Sequence, residues 1–218
     1  MVFKQFLKSK ILLVCVGLIF GIISSTAIAH ANCSKITPTK QGEVYFLRGL
    51  ANIFSLGLDV MAKRVTEDGL KNCVFNHHHW NTLAGDLIAR NSLGQISYPV
   101  IIVGHSLGAN VAPLLATKLG AHNIPVSYVV MLDPVEAEPV GPNVNEVVNY
   151  YLPKHKETRI FAAEGFTGTI ENINVHLRGG INHFNIDENP AIWDEIHHRI
   201  KELTDPEIME MEAVTQAK

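Results

Sequence analysis

Charge is what this chain has least of: only 18% of its 218 residues are Asp, Glu, Lys or Arg, and the formal net charge is −3. A nucleic-acid-binding domain needs a basic face to neutralise phosphates. No long basic patch occurs, so no nucleic-acid partner is expected. Repeats and low-complexity tracts are missing, which removes solenoids and biased disordered segments from consideration. No Pro-, Gly- or Ser-rich linker divides the chain. Cysteine is scarce: of three, Cys15 lies inside an apolar run, leaving Cys33 and Cys73. No cysteine or carboxylate cluster accompanies His77-His78-His79. Adjacent histidines do not converge on one ion as an i, i+4 helical pair does, so the run reads as the cap of a strand and the start of a helix. Neither a metal nor a cofactor is expected.

What is present is apolar material, 47% of the residues, enough for a sizeable core in one domain of ordinary size. Lys4, Lys8 and Lys10 precede an uncharged apolar run, Ile11 to Ile23, and a small-residue stretch ending Ala29-His30-Ala31. This pattern reads as a secretory signal over residues 1–31, cut before Asn32, with the remaining residues 32–218 exported as a single domain. The other reading is a retained membrane anchor, because Ile11 to Ala29 approaches the ~20 residues that span a bilayer. Membrane contact would then run through that segment alone. In an oxidising compartment Cys33 and Cys73 could pair, closing a loop of about 40 residues worth about 4 kcal/mol on the chain-entropy model. Two buried free thiols are the alternative.

Strand and helix patterns alternate along the rest. "EVYFLRG" ends at Gly49, a helix is predicted from about Leu56 to Asp68, and "NCVFN" ends at Asn76. Trp80 to Arg90 is amphipathic, Tyr98 to Val103 is a strand, Leu107 to Leu119 a helix, and "VSYVVML" a further strand. A loop is expected from Val135 to Asn145. Strands follow at Val147–Leu152 and Ile173–Leu177, with a short one at Arg159–Ala163 and a last helix from Pro190 to about Leu203. Strands that are apolar throughout are buried on both faces. Alternating with helices, they indicate βαβ units and an α/β domain with a mostly parallel central sheet and helices on both faces.

One junction carries chemistry. Gly104-His105-Ser106-Leu107-Gly108 fits G-x-S-x-G and sits between a buried strand and a helix. A tight strand-to-helix turn forces unusual backbone angles and close approach, so Gly104 and Gly108 fit it. The turn lifts the Ser106 hydroxyl clear of the sheet and places the Leu107 N–H at a helix start, where it can face an oxyanion. Ser106 as a plain helix cap explains the serine but not the flanking glycines.

A serine nucleophile needs a base, and the base needs an orienting carboxylate. Asp133 directly follows "VSYVVML", at the carboxyl end of a buried strand where sites of parallel sheets assemble. Its other reading is a turn residue before Pro134, and Glu136 and Glu138 are the nearby substitutes. Among eleven histidines, His183 in the Gly179-Gly180 turn is the candidate base, with His176 in reserve. His197 and His198 fall on the last helix, and His122 and His155 in polar loops. His105 points away from the serine hydroxyl and reads as a packing and hydrogen-bonding residue.

Ser106, Asp133 and His183, in that order, resemble the triad of the α/β-hydrolase superfamily. "GHSLGANVA" and "MLDPVEAEPVGP" are similar to the nucleophile and acid segments of its lipase branch. The resemblance implies a Ser-His-Asp hydrolase acting on a small-molecule or lipid ester through an acyl-enzyme. A thioesterase on carrier-bound acyl groups, or a binding protein retaining the scaffold, are the alternatives. It also implies a second oxyanion donor after the first long strand, here the Leu50 N–H, with Arg48 standing where the family often has histidine. Little sequence separates Asp133 from His183, so no large lid is expected.

Overall fold

The computed structural model describes residues 31–50, 55–136, 138–153 and 158–205. The signal and anchor readings rest on residues 1–30 and, like His155, lie outside the described residues. Seven strands are described: β1 (Ala31–Cys33), β2 (Glu43–Arg48), β3 (Lys71–Asn76), β4 (Val100–His105), β5 (Val126–Leu132), β6 (Val144–Tyr151) and β7 (Thr169–Asn174). Helices α1 (Gly57–Glu67), α2 (Trp80–Ser92) and α3 (Leu107–Gly120) follow β2, β3 and β4 in turn, and α4 (Pro190–Thr204) comes after β7. Among the described residues no helix is long and apolar enough to cross a membrane.

The sheet order is β1-β3-β2-β4-β5-β6-β7. Only β1 runs antiparallel, against β3; every other pairing is parallel. Strand alternation sends Val44 and Phe46 to one face, with α1 and α4, and Tyr45 and Leu47 to the other, with α2 and α3. Ile101 and Val103 of β4 divide from Val100 and Ile102 in the same way. Burial on both faces explains the unbroken apolar runs of the central strands.

From β2 the chain moves outward to β3, then crosses back over β2 to β4 and continues in that direction. Right-handed crossovers then require α1 on one face and α2 and α3 on the other, as observed. The strand order reverses between β2 and β4, and the carboxyl ends of strands at such a reversal are where open parallel sheets bind ligands.

Several boundaries differ from expectation. β4 starts two residues late and runs on through Gly104 to His105, because its register with β5 continues to His105 opposite Leu132. β6 begins at Val144 rather than Val147, extended by pairing of Val144 with Val126. β7 lies at Thr169–Asn174, not Ile173–Leu177, and Val175–Arg178 forms a 3-10 turn that places exposed His176 outside any strand. This edge strand has no buried residue, so its apolar signal is weak. Arg159–Ala163 makes only an isolated bridge, Val140 to Ala162. β1 was not expected, and Cys33 lies opposite Cys73 in its pairing, where the two form a disulfide. The alternative of two free thiols is thereby set aside.

At the amino ends of the strands a polar cluster closes the sheet. Buried Glu43 accepts hydrogen bonds from Arg90, the Tyr45 hydroxyl and the Ser97 N–H, and an ion pair from Lys71. Burial alone would raise its carboxyl pKa, but the bonds from Arg90, Tyr45 and Ser97 hold it below the usual range.

Candidate active site

The site forms where β2, β4 and β5 end. β4 passes without a break into α3, and the residue at the junction, Ser106, has φ 57° and ψ −121°. A non-glycine residue there stores on the order of 1–3 kcal/mol, so the surrounding packing must impose it. The flanking glycines show how. A Cβ on Gly104 would lie 2.4 Å from the Gly108 carbonyl oxygen, and one on Gly108 would lie 1.8 Å from that of Leu47. The Ser106 N–H donates to the Leu132 carbonyl at 2.9 Å, tying the elbow to the end of β5.

Asp133 follows Leu132, is fully buried, and also has a positive φ, 45°. Its N–H donates to the Tyr150 carbonyl at 2.8 Å. One carboxylate oxygen accepts the Leu152 N–H at 3.1 Å and the other accepts from His183 Nδ1 at 2.5 Å. The Asn110 side chain on α3 accepts the Val135 and Glu136 N–H groups at 2.8 and 3.2 Å, clamping the acid loop against the helix that starts at the elbow.

His183 continues the hydrogen-bonded chain: its Nε2 lies 2.9 Å from Ser106 Oγ. The turn carrying it is held by its own side chains. Asn182 accepts the Phe184 N–H, while Asn185 accepts the Asn182 N–H and donates to the Gly180 carbonyl. Gly179 and Gly180 supply the positive φ angles this path needs, 70° and 67°.

His105 acts as a tie. Its Nε2–H donates to the His183 carbonyl at 2.9 Å, and its Nδ1 lies 2.8 Å from Ser55 Oγ. Ser55 in turn accepts the Gly49 N–H at 3.0 Å. The residue beside the serine therefore links the histidine turn to the segment after β2. Asp187 lies behind it, buried, with its carboxylate 3.8 Å from His105 Nδ1 and accepting the Gly57 N–H at 3.0 Å. Burial pushes its pKa up from 3.8 to about 6, against the Gly57 hydrogen bond. Ser55, Asn110 and Asp187 carried no sequence signal, since each works through a partner far away in the chain.

Gly49 passes so close that a Cβ on it would lie 2.9 Å from Ser106 Cβ and 3.3 Å from Ser106 Oγ. Leu50 follows Gly49 in sequence, and Leu107 follows Ser106. Leu107 opens α3, whose first N–H groups have no intrahelical acceptor. Arg48 turns away, pairing with Asp59 of α1. Of the other histidines, His197 pairs with Asp68, His198 with Glu202, and exposed His176 sits in its 3-10 turn. Between Asp133 and His183 the described residues form β6, β7 and turns. A cleft of about 290 Å³ between α1 and α4, lined by Leu56, Val60 and Trp193 among others, includes none of Ser106, Asp133 or His183. The hydrogen-bonded order of carboxylate, imidazole and hydroxyl is one in which an oriented imidazole can accept a hydroxyl proton.

No protein-family model matches the chain, and no curated protein sequence matches it. Solved structures do. The type II thioesterase BorB from the borrelidin biosynthetic cluster aligns with a TM-score of 0.56 at 11% identity, covering 83% of this chain and 99% of that one. Est1E from Butyrivibrio proteoclasticus aligns with a TM-score of 0.49 at 10% identity, covering 79% and 92%. The NocB thioesterase domain from the nocardicin cluster, in covalent complex with a fluorophosphonate nocardicin G analog, gives 0.49 at 12%, covering 80% and 99%. The likeness to BorB is one of fold: this chain has the α/β-hydrolase fold.

Proposed function

We propose that the chain is a serine hydrolase that cleaves a carboxylic ester through an acyl-enzyme. The observation that carries this reading is the continuous hydrogen-bonded chain from buried Asp133 through His183 to Ser106, ending on a serine held at φ 57°. A binding protein keeping only the scaffold would have no use for that backbone strain.

In the proposed mechanism His183 Nε2 takes the Ser106 proton as Oγ bonds to the ester carbonyl carbon. The Leu50 and Leu107 N–H groups hold the resulting oxyanion. Collapse breaks the bond to the leaving alkoxide, which takes the proton from His183. Water, deprotonated by the same imidazole, then attacks the acyl-serine, and the bond to Oγ breaks as His183 returns that proton to Ser106, releasing the acid. Asp133 keeps the imidazole proton on Nδ1 and stabilises the imidazolium. Exposed Leu50, Val135 and Phe184 adjoin the oxyanion segment, the acid and the base, which supports an apolar acyl or alcohol group.

A thioester substrate is the second reading, favoured by the shared fold with the thioesterase BorB. The leader pattern and the Cys33–Cys73 disulfide support an exported protein, away from carrier-bound acyl groups, and so favour the ester. The test is labelling by a fluorophosphonate probe alongside hydrolysis of matched p-nitrophenyl esters and acyl thioesters. Wild type should label and prefer the ester, and Ser106→Ala should abolish labelling and lower kcat by at least about 10⁴-fold. Wild-type turnover by Ser106→Ala would overturn the assignment.

A further inference from the structure

We infer that His77 is a positioning residue for the oxyanion hole, holding the Gly49–Leu50 peptide so that the Leu50 N–H faces the reacting carbonyl. The inference rests on the hydrolase reading above and adds a member to its machinery.

Sheet register brings the two residues together. β2 and β3 run parallel with Arg48 opposite Asn76, the last pair of their ladder, so the chain leaves both strands at the same level. Gly49 and His77 are the next residues on each side. Asn76 fixes the start of the turn by accepting the His78 N–H at 3.3 Å. The half-buried His77 ring then places Nδ1 3.2 Å from the Gly49 carbonyl oxygen. A carbonyl oxygen can only accept, so this hydrogen bond requires the imidazole proton on Nδ1.

The consequence follows from peptide geometry. In a trans peptide the C=O of one residue and the N–H of the next point in opposite directions. Fixing the Gly49 carbonyl toward His77 therefore fixes the Leu50 N–H away from β3, on the side where β4 ends and Ser106 stands. The other side of Gly49 is held too, its N–H donating to Ser55 Oγ. With both of its polar groups bonded, Gly49 cannot rotate its peptides, although it has no side chain to anchor it. Such anchoring matters because a glycine is the residue most free to turn, and the contact with Ser106 leaves room for nothing larger. An oxyanion donor is effective only when aimed before the reaction begins.

Three variants separate the hydrogen bond from the ring's packing. His77→Phe keeps a ring and removes the donor, His77→Ala removes both, and His77→Asn offers an N–H where Nδ1 was. The readouts are kcat and KM on a p-nitrophenyl ester, and Ki for an alkyl boronic acid whose tetrahedral adduct on Ser106 fills the oxyanion position. His77→Phe and His77→Ala should lower kcat about 10- to 100-fold with KM within about twofold, and weaken the boronate by a similar factor. His77→Asn should recover most of both. Unchanged kcat in His77→Phe, or His77→Asn as impaired as His77→Ala, would overturn the assignment. Wild type failing to label at Ser106 with a fluorophosphonate would remove the hydrolase reading and this inference together. Labelling and turnover by wild type, with no loss in His77→Phe, would remove the inference alone.

Discussion

Replacing Asp133 by Asn tests the relay with almost no change of shape. The two carboxylate oxygens have separate duties, one accepting the Leu152 N–H at 3.1 Å and the other the His183 Nδ1–H at 2.5 Å. An amide has a single oxygen, so one duty must fail. If the oxygen faced His183, the amide NH2 would confront the Leu152 N–H in a fully buried site, leaving donors unsatisfied at about 1–3 kcal/mol each. The oxygen therefore stays with Leu152, and the NH2 faces His183 Nδ1. That nitrogen must then accept, and the imidazole proton moves to Nε2, 2.9 Å from Ser106 Oγ. A protonated Nε2 cannot take the serine proton. For triads of this kind the wrong tautomer lowers kcat by about 10⁴, or about 5.4 kcal/mol in the barrier, with little change in KM. Steady-state hydrolysis of a p-nitrophenyl ester measures the loss, and a urea titration checks that the fold is retained. A kcat within tenfold of wild type, in a protein that still needs Ser106, would refute the role given to Asp133.

Two further outcomes follow from packing and charge. Gly108→Ala forces a Cβ to 1.8 Å from the Leu47 carbonyl and should cost more than about 3 kcal/mol. Gly85→Ala, with open space around its Cβ in the middle of α2, should be neutral or gain up to about 1 kcal/mol; urea denaturation compares them. Asp187 has a folded pKa of about 6 against an ordinary 3.8, so the folded state holds its proton more tightly. That stability is present below the ordinary value and lost as pH rises through about 6, with His105, His183 and Glu188 nearby. Asp187→Asn should therefore match wild type near pH 4 and exceed it by on the order of 2 kcal/mol at pH 8, while keeping an acceptor for Gly57. A stability difference that did not change with pH would contradict this.

The central strands were legible because burial on both faces leaves unbroken apolar runs, as in Val100–Val103 and Val126–Leu132. The edges were not. β7 is half-covered and β1 has three residues, so pairing rather than pattern decides where each lies. The elbow could be read because steric demands are local: a strand, two glycines and a helix sit within a few residues of Ser106. Asp133 and His183 could be placed by chain order.

Chain order alone does not say what touches what. Sequence determined the α/β class and the serine between its glycines, and it singled out Asp133 and His183 as the candidate acid and base. Only the tertiary structure paired Cys33 with Cys73, joined Ser55 to His105 and His105 to the His183 carbonyl, and set His77 against Gly49. The reason is physical. Backbone propensity and apolar periodicity act over a few residues, whereas contacts between residues 28 to 78 apart in the chain depend on strand order and register. In this protein the crossing from β3 back over β2 to β4 brings Gly49, His77, His105 and Ser106 together at the carboxyl ends of β2, β3 and β4.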